Sequence, residues 1–174
     1  ADLSLATVKP EYTTNYEFGI KTSPTKNSVL NFAAFDTEVK DYQANVQSPQ
    51  LGVNRGYLAN AEHVQVWGLE LDGSTKVGKY FSVNAAITYT EAIYKKFTNA
   101  PLPLEETGAT NSAGQQVAFK DISGGDLPGV SKWSSSIGAE IAIPVKFFAN
   151  EGKAFFAVDN FNRSKFSSSP SPSK

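Results

Sequence analysis

The chain has 174 residues, a formal net charge of −1, 19% charged and 12% aromatic residues, and neither Cys nor Met. This balance offers no basic or acidic surface for nucleic acid, and without cysteine there is no disulfide framework, thiolate nucleophile or cysteine-bound metal. No apolar run approaches the ~18 residues of a transmembrane helix. The chain opens Ala1-Asp2-Leu3 with no initiator Met and no apolar leader, so a processed chain or a fragment is expected.

Period-two patterning dominates. Residues 14–23 place Tyr16, Phe18 and Ile20 on one face and Asn15, Glu17, Gly19 and Lys21 on the other. Ser23 to Asn27 supply turn residues. A second strand over 28–42 sets Ala33, Phe35, Thr37 and Val39 against Asp36, Glu38 and Lys40. Leu30 and Phe32 have the opposite parity, which predicts a bulge near Ala33-Ala34 or a packed interior. Residues 43–61, rich in Gln, Asn and Gly, read as a long connection. A third strand follows, with Gln65, Trp67, Leu69 and Leu71 opposite Val64, Val66, Gly68 and Glu70.

After a short link at 72–76, the fourth strand alternates Phe81, Val83, Ala85, Ile87 and Tyr89 with Ser82, Asn84, Ala86, Thr88 and Thr90. Residues 96–128, with Pro101, Pro103 and Pro128, read as irregular. In the fifth strand Trp133, Ser135, Ile137, Ala139, Ile141 and Ile143 oppose Ser134, Ser136, Gly138, Glu140 and Ala142. A turn at Asn150-Glu151-Gly152 leads to a sixth strand over 153–166, with Phe156 and Val158 outward and Asp159 and Arg163 inward. Ser167 to Lys174 read as the start of another loop.

Connections thus alternate between short (24–27, 72–78, 146–152) and long (43–61, 96–128, and the unfinished last). A barrel of the bacterial outer membrane has short turns on one side and elaborated loops on the other, and its strands need only about 10 residues each. A soluble sandwich imposes no such alternation. The expected fold is therefore all-β: an antiparallel up-and-down transmembrane β-barrel, of which this chain is a fragment. No repeat at a solenoid or propeller period is found.

Motifs narrow the reading. Lys9-Pro10-Glu11 followed by Asn15-Tyr16-Glu17-Phe18-Gly19-Ile20-Lys21 resembles the "KPE…NYELGLK" signature in the barrel of TonB-dependent receptors. Asn31-Phe32-Ala33-Ala34-Phe35 with Asp41-Tyr42-Gln43 resembles the strand after it, and Gly68-Leu69-Glu70-Leu71 resembles that family's "G-x-E" strand. Leu127-Pro128-Gly129-Val130-Ser131-Lys132-Trp133 is similar to the "LP-x-x-P-x-W" entry into a later strand, with Val130-Ser131 in place of the usual proline. Arg163-Ser164 falls where the family often has "YRS". These matches occur in family order over nearly the whole chain. The resemblance implies a barrel of about 22 strands with a plugged lumen. Residues 1–174 would supply about six strands from its C-terminal part, without the plug domain, the TonB-contacting segment or the terminal strands.

Within that frame Glu17, Gly68, Glu70 and Glu140 are expected to face the lumen as structural residues, with Lys21, Asp159 and Arg163. Trp67, Tyr89 and Trp133 share parity with the apolar face and suit a lipid-interface girdle better than ligand stacking. Asp36 and Glu38, two apart, read as a hydrated lumen face rather than an acid–base pair. His63, the only histidine, cannot build a His-based metal site or triad alone and reads as an ordinary surface residue. Gly124 and Gly129 have phosphate-loop spacing, but Val130 stands where Lys is required. Asn162-Arg163-Ser164 is only formally a glycosylation sequon.

No catalytic, cofactor or metal residues are expected, and the protein is not expected to be an enzyme. The resemblance implies an outer-membrane receptor importing a scarce nutrient (a ferric siderophore, haem, cobalamin or a glycan). Its partners would be the TonB complex, acting through the plug, the extracellular nutrient and outer-membrane lipid, with no nucleic acid. Loops 43–61 and 97–127 are the candidate ligand contacts. A secreted all-β adhesion or carbohydrate-binding module is the alternative.

Overall fold

The computed structural model describes residues 7–47, 56–103, 106, 108–148 and 150–168. It contains β1 (Tyr12–Thr25), β2 (Ser28–Gln47), β3 (Gly56–Val77), β4 (Phe81–Lys96), β5 (Ala100–Pro101), β6 (Phe119–Lys120), β7 (Trp133–Phe147) and β8 (Asn150–Arg163). Six of these form one antiparallel sheet in the order β1-β2-β3-β4-β7-β8, and β5 pairs with β6 separately. Each strand lies beside its predecessor in sequence, with the β5–β6 segment interposed between β4 and β7. The sheet is open between β1 and β8, as a part of a barrel must be.

Short turns gather at one end. Lys26-Asn27 joins β1 to β2, residues 78–80 join β3 to β4, and Phe148 lies between β7 and β8. Gly78 takes a left-handed conformation (φ +67°) that a residue without Cβ adopts freely. The strands run further toward these turns than the sequence pattern predicts: 72–76 is strand rather than link, and the last strand occupies Asn150–Arg163 rather than 153–166.

Directly paired residues share a face, so the register sorts the side chains. Ile20 pairs with Phe32, Phe18 with Ala34, Phe32 with Leu71, Ala34 with Leu69, Leu71 with Ile87 and Leu69 with Tyr89. Tyr89 pairs with Trp133, Phe81 with Ile141, and Ile141 with Phe156. An apolar belt therefore crosses all six strands of one face. The opposite face carries Glu17, Lys21, Glu70, Asn84, Thr88, Glu140, Asp159 and Arg163. Phe156 and Val158 fall on the apolar face and Asp159 and Arg163 on the polar one, the facing expected for the last strand.

Strand β2 corrects the sequence reading. Its pairing with β1 is unbroken from Leu30 to Lys40, so there is no bulge at Ala33-Ala34. Leu30, Phe32 and Ala34 belong to the apolar face, and Phe35 projects from the polar one. Asp36 and Glu38, expected on the polar face, lie on the apolar side in register with Trp67 and Gln65. Phe35 misled the pattern because it is a large ring on the polar face. It fits there because its cross-strand partner is Gly68, where a Cβ would come within 2.7 Å of the ring.

The long connection at 43–61 is also corrected: β2 continues to Gln47 and β3 begins at Gly56, leaving 48–55 outside the described residues. Asp41 has φ 54°, a left-handed value that Asp tolerates better than most residues. Beyond it the buried positions change parity. Ala44 and Val46 are buried on β2 and Ala61 on β3, whereas Val64 and Gly68 are the buried positions before the bend. A reading with fixed alternation loses the strand at that point.

The buried core sits at this end. Ala44, Val46, Ala61, Val64, Ala92, Tyr94, Phe97, Ala100 and Leu127 pack together, with Tyr42, Tyr57 and Ile122 against them. Elsewhere the sheet has no second layer, and large apolar side chains of the belt, such as Trp133, Ile137 and Phe156, stay exposed.

Candidate functional site

The chain after β4 folds back upon it. Phe97, at 1% exposure, stacks on Tyr94 with ring centroids 5.3 Å apart. Backbone bonds continue the sheet where β7 has not yet begun: Tyr94 N to Gly125 O (2.9 Å), Gly124 N to Tyr94 O (2.7 Å), Leu127 N to Ala92 O (2.9 Å) and Thr90 N to Lys132 O (2.9 Å). The outer edge of β4 is thereby paired by loop backbone, which hides an edge that would otherwise attract another strand. Gly124 and Gly129 supply left-handed turns here (φ +82° and +81°), a conformational role rather than a phosphate cradle.

Side chains complete the fold of the connection. Ser123 Oγ accepts the Phe97 amide at 3.0 Å, while Asp121 accepts the Ser123 amide at 2.9 Å. The Ser123 bonds hold the Asp121 carboxyl below its ordinary range. The Thr98 hydroxyl and amide donate to Glu62 at 2.5 and 3.2 Å. Burial pushes the Glu62 carboxyl up, but these bonds outweigh it and bring the pKa below its ordinary value. Lys120 pairs with Glu106 at 2.6 Å. At the tip, Thr110 bridges Gln116, and Asn111 Oδ1 accepts the amides of Ala113 and Gln115 at 3.0 Å each.

A charged clamp closes the segment. Lys132 Nζ lies 2.8 Å from Glu91 Oε1 and 3.3 Å from Asp126 Oδ1, and the Tyr89 hydroxyl also donates to Glu91. Below it Trp67, Tyr89 and Trp133 form one aromatic run, with centroids 5.4 and 4.8 Å apart. Gly129 N donates to Ser167 O at 2.7 Å, tying the connection to the exit of β8.

The polar-face residues singled out in the sequence do not converge. Glu17, Phe35 and Gly68 share one cross-strand row, Glu70 pairs with Ala33 and Thr88, and Glu140 pairs with Ser82 and Ala157. Gly138, by contrast, is crowded between Asn84 and Asp159. His63 is not a plain surface residue: its Nε2 is shielded, 3.7 Å from a Glu38 carboxylate oxygen. The clamp and the Phe97–Leu127 anchor were not found by patterning, because isolated apolar residues in a polar loop carry no period. Their sequence signals were the motif from Leu127 to Trp133, which holds Lys132, and Phe97 as a lone ring between Lys95-Lys96 and Thr98-Asn99.

An open antiparallel sheet with an apolar belt, tight turns at one end and a folded long connection at the other is what a slice of a membrane barrel requires. The family model described as TonB dependent receptor-like, beta-barrel matches residues 2–168.

The chain belongs to the TonB-dependent receptor barrel family.

No curated protein matches it. At the level of this family the chain is part of an outer-membrane transport receptor, and its all-β sheet is a section of the receptor barrel wall. In the receptor, Tyr94 lies five positions beyond Tyr89, in the outer extension of β4. Burial, with a smaller contribution from Tyr42, pushes its phenol from 10.0 up to about 12. A pKa raised by folding means the folded form holds the proton more tightly. The end of the sheet opposite the tight turns therefore keeps its full stability below about pH 10 and loses it as pH rises toward about 12. Denaturant titrations at rising pH, with Tyr94→Phe as reference, check this; parallel curves for the two receptors would refute it.

Proposed function

We propose that the receptor imports a scarce nutrient, captured on segments 43–61 and 97–127 and driven inward by TonB-coupled energy acting through a plug domain. In this reading the apolar belt faces lipid, and the polar face, with Glu17, Gly68, Glu70 and Glu140, lines the lumen. The end with the folded β4–β7 connection is the extracellular one, and the turns at 26–27 and 78–80 face the periplasm. The observation that supports the reading most is the asymmetry between the ends. Tight turns at 26–27 and 78–80 close one, while the other carries the folded connection between β4 and β7 and the buried core. Binding elements on loops held by a rigid scaffold are the common arrangement.

The test uses the full receptor in cells offered labelled ferric siderophores, haem, cobalamin and glycans in turn. Deleting residues 109–117 removes the exposed tip while the flanking chain ends stay close, since Val117 N reaches Ala109 O at 3.0 Å. Uptake of one nutrient is expected to fall sharply on deletion, and loss of TonB energy is expected to stop import but leave surface binding. Import that survives without TonB energy would sink the proposal.

A further inference from the structure

Beyond Asp41 the sheet is grasped by the chain that enters β1. Pro10 has no N–H to give a ladder, and β1 pairs with β2 only from Tyr12 onward. Before that point side chains take over. The Lys9 amide donates to Asn60 Oδ1 at 2.8 Å, and Asn60 Nδ2 and Gln43 Nε2 each donate to the Lys9 carbonyl at 3.1 Å. Glu11 Oε1 accepts the Gln43 amide at 2.6 Å. Gln43 and Asn60 are a cross-strand pair, so their carboxamides stand side by side, away from Ala44, Val46 and Ala61. Residues 9–11 thus form a strap over the ribbon of β2 and β3.

The same carboxamide holds the bend. Asn60 Nδ2 also donates to the Asp41 carbonyl at 2.6 Å, and Asp41 carries the left-handed backbone (φ 54°). That backbone is strained for a residue with a Cβ and persists where its surroundings impose it. The Lys9–Asp41 ion pair, at 3.6 Å with Lys9 well exposed, adds little. The bend decides what meets the core. Phe35 and Val39 lie on the side of Gly68 and Val64, and straight alternation would carry Gln43 and Asn45 to that side. The turn at Asp41 puts Ala44 and Val46 there instead, in one cluster with Val64, Phe97 and Leu127. Ala61, fully buried, lies between Asn60, which holds the strap, and Glu62, which holds Thr98 at 2.5 Å.

We propose that Asp41 is a latch set by the strap. With Lys9 clasped, Asp41 is kept left-handed, and the connection between β4 and β7 is seated on Ala44, Val46 and Ala61. When the strap lifts, Asp41 relaxes to extended backbone, Gln43 and Asn45 turn to the core side, and residues 97–127 come free. A one-residue change of parity exchanges the two faces of a strand, so the latch has two discrete positions. That the freed segment captures nutrient rests on the proposed function; the latch itself does not.

Hydrogen exchange of the full receptor in detergent reads both ends. Asn60→Leu is expected to speed exchange at Lys9 and Gln43 and, through the bend, at Phe97 and Thr98, by about ten-fold. Asp41→Val, whose branched side chain resists the left-handed backbone, is expected to do the same at Phe97 and Thr98. Asp41→Asn, which tolerates that backbone and removes the charge, is expected to match wild type. The deciding receptor combines Asn60→Leu with Asp41→Gly. Glycine takes the left-handed form freely, so Phe97 and Thr98 should regain most of their protection while Lys9 stays fast. Unchanged exchange at Phe97 and Thr98 in Asn60→Leu overturns the proposal, because the strap is then a local tie. No recovery in the double variant overturns it too, because the loss is then a general loosening. If Asp41→Val fails to assemble, Asn60→Leu and its glycine rescue carry the test. Nutrient capture by the same receptors separates the two readings. Capture that is unaltered while exchange responds as expected removes 97–127 as the capture segment and leaves the latch standing.

Discussion

Replacing Gly68 by Ala is expected to lower the stability of the full receptor by about 1–3 kcal/mol, and Gly68→Val by more, enough to deplete it from the outer membrane. An added Cβ meets Phe35 at 2.7 and 2.9 Å and collides with the Tyr89 carbonyl on the neighbouring strand. One obstacle is a ring that can turn aside; the other is β4 backbone, fixed by its pairing with β3 and β7. Adding Phe35→Ala to Gly68→Ala should restore part of the loss and leave the backbone contact in place. Unfolding midpoints in detergent and the yield in the membrane fraction report the effect. An unchanged midpoint for Gly68→Ala would mean that the close approach across this pair is not real.

Phe97→Ala should act on the connection rather than the wall. Phe97 is among the largest fully buried side chains, and truncating such a residue costs about 3–5 kcal/mol. The loss falls on the packing of residues 97–127 against Val64, Ala92 and Tyr94, while pairing of β1–β4, β7 and β8 through the belt is untouched. Limited proteolysis of the folded receptor should then cut between 98 and 126 far faster than in wild type, with the barrel still intact. The nutrient that wild type captures should bind more weakly. Equal cleavage rates would show that the connection is held by the Lys132 clamp and its backbone bonds alone.

How much was legible in the sequence differed along the chain for physical reasons. β4 and β7 were plain because every large apolar residue of their central parts falls on one parity, and only small or polar residues fall on the other. β2 was misread because Phe35 is a large apolar ring on the polar face, housed by a glycine on the next strand, and period two cannot see a cross-strand vacancy. The outer halves of β2 and β3 were missed because one residue, Asp41, reverses the parity midway. Tight turns and long connections were visible as alternation, yet the folded state of residues 97–132 was not. Its anchors, Phe97, Leu127 and the Lys132–Glu91–Asp126 group, are brought together by the sheet from positions with no regular spacing. The aromatic run of Trp67, Tyr89 and Trp133 was readable as shared parity, though its stacking needed the register.

The bend at Asp41 also divides the wall into two parts that can be edited separately. Beneath it the strands obey one rule, in which each position belongs either to the apolar belt or to the polar face. Above it the rule is inverted and the residues answer to a small protein core of their own. Chimeras between receptors should therefore be spliced at the level of Asp41, Glu62, Glu91 and Lys132, exchanging the upper part as one cartridge on an unaltered pipe. Joints placed a few residues higher would cut through the packing of Ala44, Ala61 and Tyr94 and leave two half-cores, neither of which has a partner.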